Sequence, residues 1–128
     1  MSILLDTHSL VWWVTDDPRL SKRARRYIES RADPCFVSAV TAFELATKAR
    51  LGKLPAAAEL ADGFEILMNR EGFVSLPISV EHGLLAGRMP GTHRDPFDRL
   101  LAAQSITEQM PLLTSDPAFG GLGPTTVW

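Results

Sequence analysis

The sequence predicts an α/β fold: a parallel sheet of about five strands with helices on both faces. Three observations predict it. Short apolar runs without polar alternation recur along the chain, and each stops at an acidic or turn-forming residue. Segments rich in helix formers fill the spaces between them. The two kinds of segment alternate, which is the pattern of strands joined by helical crossovers.

Ile3-Leu4-Leu5 is the first run and ends at Asp6. The stretch after Asp6 carries Trp12 and Trp13 and reads as a helix. Residues 20–31 form another, rich in arginine. Cys35-Phe36-Val37, followed by Ser38, is the second strand. Residues 39–51 are helical and stop at Gly52, with Pro55 just beyond, both C-terminal signals. Over 56–70, Ala57, Leu60, Ala61, Phe64 and Met68 fall on one helical face. Phe73 to Leu76, closed by Pro77, is the third strand. Ser79 caps a short helix running towards Gly87. Asp95 suits the N-cap and Pro96 the first turn of a helix that continues through Leu100, Leu101, Ala103 and Ile106. Leu112-Leu113-Thr114, followed by Ser115 and Asp116, is the fourth strand, and residues 125–128 form a fifth at an edge.

Composition narrows the function. At 128 residues the chain is one domain, spanning 1–128, with enough length for a real core. A formal net charge of −2 argues against a generally basic nucleic-acid coat protein and leaves a local basic patch open. The single cysteine, Cys35, excludes an intrachain disulfide framework and a multi-cysteine zinc site, and its place in a strand predicts a buried thiol. The N-terminus has no basic region before its apolar residues, and the run Leu10 to Val14 is far short of a membrane span. A cytoplasmic protein without membrane attachment is expected.

The carboxylates carry the chemistry. In open parallel sheets, sites form beyond the carboxyl ends of the strands. Asp6 follows the first strand, Asp116 follows the fourth, Glu44 lies in the helix after the second, and Asp98 lies in the first turn of the helix before the fourth. All four can project towards one end of the sheet. Gathered carboxylates repel, and a cation removes that penalty. Oxygen donors without clustered sulfur or imidazole point to Mg²⁺, with Mn²⁺ as the alternative. Such a site suits phosphodiester hydrolysis by metal-activated water. Each acid also has a structural reading: Asp6 as a helix cap, Glu44 as the partner of Lys48 in an ordinary surface pair, Asp95 and Asp98 at a helix start, Asp116 in the turn before Pro117. For Asp95 capping is preferred to metal ligation.

Other features are weighed beside these. Arg19, Lys22, Arg23, Arg25, Arg26 and Arg31 are six of the thirteen basic residues, and read either as an RNA-backbone contact or as a solvated face. Arg99 reads either as a phosphate clamp or, preferably, as the partner of a nearby acid. His8, His82 and His93 match no zinc spacing. Trp12 and Trp13 read as core or subunit interface rather than a base-stacking platform. The helices at 39–51 and 56–70 offer apolar surface to a partner. A receiver-like signalling domain with an acidic Mg²⁺ pocket is the alternative reading of the acids, but Asp16-Asp17 falls ten residues past Asp6 and the third strand ends in Pro77.

Leu4 to His8, Ser38 to Glu44, His93 to Gln104 (with Asp-Pro-Phe-Asp-Arg-Leu-Leu at 95–101) and Leu113 to Asp116 resemble, in order, the motif series of PIN-domain proteins, above all the VapC-like toxins of bacterial type II toxin–antitoxin pairs. The resemblance implies a three-layer PIN fold and a Mg²⁺-dependent endoribonuclease, an enzyme acting on RNA phosphodiester bonds. Carried over residue by residue, it makes Asp6, Glu44, Asp98 and Asp116 the catalytic and metal-binding acids. Thr7, Thr114 and Ser115 become supporting hydrogen-bonders, Asp95 the capping neighbour of Asp98, and His93 a residue holding the loop before Asp95. Apart from the resemblance, Arg19, Lys22, Arg23 and Arg26 are the residues that would meet RNA if the arginine-rich stretch is a contact and not a solvated face. The resemblance further implies a homodimer and a cognate antitoxin. A non-catalytic RNA-binding module on the same fold is the remaining alternative.

Overall fold

The computed structural model describes residues 1–30, 32–91 and 94–128. Arg31 and His93, both singled out in the sequence, lie outside the described residues. The strands are β1 (Ile3–Leu5), β2 (Cys35–Ser38), β3 (Val74–Leu76), β4 (Leu112–Leu113) and β5 (Thr126–Val127). They form one sheet in the order β3-β2-β1-β4-β5, and every pairing is parallel. The helices are α1 (Thr7–Val14), α2 (Lys22–Glu29), α3 (Ala39–Leu51), α4 (Ala57–Asp62), α5 (Phe64–Glu71), α6 (Val80–Arg88) and α7 (Pro96–Thr107), with a 3-10 turn at Pro117–Gly121.

The sheet is covered on both faces, which is why its strands lack polar alternation. Ile3, Leu5, Val37 and Leu113 enter one core with Leu10, Ala24, Ile28, Leu45, Leu60 and Leu67. Leu4 and Leu112 point the other way, into a second core with Ala86, Leu101, Ala102 and Phe119. Two helical layers therefore sandwich one sheet, as expected.

Local signals explain most boundaries. Ser38 ends β2 and caps α3, its Oγ accepting from Val40 N at 2.9 Å. Gly52 ends α3 at φ 68°, a left-handed conformation that glycine adopts without a Cβ clash. Asp95 and Pro96 start α7 as predicted. Three details differ from the sequence reading. The helix expected over 56–70 breaks in two at Gly63 (φ −99°, ψ 17°), where a poor helix former lets the chain turn. The arginine-rich helix is shorter than 20–31, because Ser21 caps its start through Ala24 N. The 3-10 turn after β4 was not anticipated.

Candidate active site

The strand order reverses direction at β1 and β4: the chain moves outward through β2 and β3 on one side, then returns to β4 and β5 on the other. A crevice opens beyond the carboxyl ends at such a switch point. Asp6 sits there. Its backbone N–H donates to Leu113 O at 3.2 Å, continuing the β1–β4 pairing, while its Oδ1 accepts from Ser9 N at 2.7 Å and caps α1. The side chain is buried. Burial pushes the Asp6 carboxyl above its ordinary value, opposed by hydrogen bonds from Ser9 and Thr114 and by the nearby His8 charge.

Glu44 projects from α3 into the same region and is also buried. Its Oε1 accepts from Thr7 Oγ1 at 2.8 Å. Thr7 Oγ1 lies 3.1 Å from Thr41 Oγ1; its own proton is given to Glu44, so Thr41 is the donor. Glu44 Oε2 meets Lys48 Nζ at 2.6 Å. The expected i,i+4 pair exists but is not a surface pair, because α3 turns this face towards Thr7 at the start of α1.

Asp98 is half-buried in the first turn of α7. Asp95, exposed, accepts from Phe97 N at 2.9 Å and Asp98 N at 3.5 Å, the capping role expected of it. Asp116 caps the 3-10 turn by accepting from Ala118 N at 2.9 Å, and its own N–H donates to Thr114 Oγ1 at 3.0 Å.

These elements enclose one pocket of about 100 Å³, lined by Asp6, Thr7, His8, Glu44, Lys48, Asp95, Asp98, Leu101, Asp116 and Phe119. All four predicted acids line it, together with Asp95. Among the described residues, no three Asp, Glu, His or Cys side chains are spaced to cage an ion by themselves. The acids still fit a hard divalent cation: they offer only oxygen, and Mg²⁺ characteristically takes one or two carboxylates and completes its shell with water and substrate phosphate. The sequence reading missed Thr41 and the pocket position of Lys48. Both share a face with Glu44 at i−3 and i+4, so helical spacing was the available signal.

Thr114 is buried beside Asp6, whereas Ser115 is exposed and does not line the pocket. Arg99 donates from Nε to Ala86 O at 2.9 Å and from Nη2 to Met89 O, clasping the end of α6. On the arginine-rich segment, Arg19 grips Asp17 through two nitrogens at 3.1 and 2.7 Å, lowering the Asp17 carboxyl to about 2, and lies 4.9 Å over the Trp12 ring. Arg23 lies by Tyr27, and Lys22 and Arg26 are exposed. None of these lines the pocket. Trp12 and Trp13 are half-buried against the first core. Cys35 is buried, and His82 is buried as part of the α6 capping box.

The PIN domain family model matches residues 3–122. The chain is 33% identical over 132 aligned positions to Ribonuclease VapC22 of Mycobacterium tuberculosis, covering 99% of this chain and 98% of that protein. Its fold is similar to the crystal structure of VapBC2 from Rickettsia felis bound to a DNA fragment from their promoter, with a TM-score of 0.72, 17% identity and coverage of 100% and 98% of the two chains. It is also similar to FitAcB from Neisseria gonorrhoeae, with a TM-score of 0.68, 18% identity and coverage of 100% and 97%.

Proposed function

Since the chain belongs to the PIN-domain family, in its VapC-like part, we propose that it is a Mg²⁺-dependent endoribonuclease acting as the toxin of a type II toxin–antitoxin pair. The observation that carries this is the meeting of Asp6, Glu44, Asp98 and Asp116, from four separate stretches of chain, on one pocket at the sheet's switch point. A bound Mg²⁺ or Mn²⁺ would supply Lewis acidity and a water of lowered pKa. Asp6 and Glu44, buried and held by hydrogen bonds, are the fixed ligands. Asp98 and Asp116 line the same pocket nearer solvent and would complete the acidic set that holds the ion and its water. Thr7 and Thr41 hold the Glu44 carboxylate in one orientation. The pocket needs no protein nucleophile.

The partners follow from the same reading: RNA as substrate, a cognate antitoxin, a second copy of the chain, and a cytoplasmic setting. No described helix is long and apolar enough to cross a membrane. The receiver alternative loses its footing on topology, because receiver-like sheets run 2-1-3-4-5 and this one runs 3-2-1-4-5.

The test is RNA cleavage by the purified chain with Mg²⁺, with chelator, and as Asp98→Asn. Cleavage that needs metal and is lost in the variant is expected. Equal cutting in chelator, or by the variant, would overturn the assignment. Expression in a bacterial host should arrest growth, and the adjacent open reading frame should relieve the arrest.

A further inference from the structure

Lys48 stands inside the acidic pocket rather than outside it. Its Nζ lies 2.6 Å from Glu44 Oε2, and the other Glu44 oxygen already accepts from Thr7. Both oxygens are thus engaged before metal or substrate arrives. Glu44 retains only 10% of its side-chain exposure while Lys48 retains 28%, so the lysine has a way out to solvent and the glutamate does not. A divalent ion that binds Glu44 through Oε2 competes with the ammonium for that oxygen, because two cations at contact distance from one oxygen repel strongly. The lysine stem is flexible, and its head is a compact charge suited to a phosphate oxygen.

We propose that Lys48 is the pocket's resident counter-cation: the divalent ion displaces it from Glu44, and the freed ammonium then binds a phosphate oxygen of the RNA. This rests on the nuclease reading and adds to it a residue that contacts substrate. One positive charge serves two anions in turn. In the metal-free protein it neutralises Glu44; in the loaded protein it faces the phosphodiester beside the metal.

The experiment has two readouts on the full chain. Calorimetric titration with Mn²⁺ alone compares the parent with Lys48→Met and Lys48→Arg. Removing the competing charge should tighten Mn²⁺ binding about tenfold or more in Lys48→Met, while Lys48→Arg stays near the parent. At saturating Mn²⁺, cleavage of a short single-stranded RNA should show a lowered kcat/KM in Lys48→Met and partial rescue in Lys48→Arg. Lys48→Gln gives the same two readouts if the methionine variant fails to fold. Unchanged or weaker Mn²⁺ binding in the neutral variants overturns the proposal, as does full cleavage by them at saturating metal. A parent that binds no Mn²⁺ and cuts no RNA overturns the nuclease reading itself, which separates the two failures.

Discussion

Ser38→Ala tests how the site is held together. Ser38 Oγ accepts from Val40 N at 2.9 Å and donates to Gln104 Oε1 at 2.5 Å, and both side chains are fully buried. Gln104 Nε2 in turn donates to Pro77 O at 3.2 Å. This tie joins α3, which carries Glu44, to α7, which carries Asp98. Alanine removes the α3 cap, a loss of about 1 kcal/mol. It also strands the Gln104 carbonyl without a partner, a further cost of about 1–3 kcal/mol. The sum is about 2–4 kcal/mol, or a fall in Tm of about 7–14 °C for a chain of this size. Thermal and urea unfolding of parent and variant measure it, with the urea slope unchanged. The double variant Ser38→Ala/Gln104→Leu should recover part of the loss, because no buried carbonyl is then orphaned. RNA cleavage by Ser38→Ala, at a temperature where it remains folded, should fall about tenfold or more as the two acids lose registration. A Tm within about 2 °C of the parent, or a double variant no better than the sum of its singles, would refute the reasoning.

Asp6→Asn should abolish cleavage yet raise the Tm of the metal-free protein, because asparagine caps a helix as well as aspartate does and carries no buried charge. The sign follows from the raised Asp6 carboxyl. As pH rises above the ordinary value of 3.8, the unfolded chain loses its proton while the fold retains it, so the parent loses stability until the raised folded value is passed. The Tm difference between variant and parent should therefore grow through mildly acidic pH and then level off; a difference that shrinks would contradict it. Added Mg²⁺ should raise the parent's Tm more than the variant's. Thr7→Val keeps the shape but withdraws the 2.8 Å bond to Glu44, so chemical denaturation should show a loss of about 1.5–3 kcal/mol.

Much of this could be read before any coordinates. The three-residue run Ile3–Leu5 announces a strand buried on both faces, and the Asp95-Pro96 pair announces a helix start; both are local signals that tertiary packing had no reason to override. The strand order could not be read, since every run is short and apolar and nothing in Cys35–Ser38 or Leu112–Leu113 states which side of β1 it takes. The convergence of the acids could be expected from Asp6 and Asp116 just past strands and from Glu44 and Asp98 on the helices beside them. The pocket position of Lys48 could not, because i,i+4 spacing is the same on a solvent face as on a buried one, and only the rotation of α3 about its axis decides. Gly63 was visible as a glycine, but its effect depends on the bend that packs α4 and α5 against the first core.

The three residues of β1 feed two opposite cores alternately, and the next residue is both the strand's exit and the cap of α1. Counting therefore matters more here than composition. Adding or deleting a single codon between Ile3 and Asp6 would send leucines into the wrong layer and carry the carboxylate off the rim of the sheet in the same event. The fold is therefore tolerant of which apolar residues stand there but not of how many, and a change of length is accommodated only in the connecting loops.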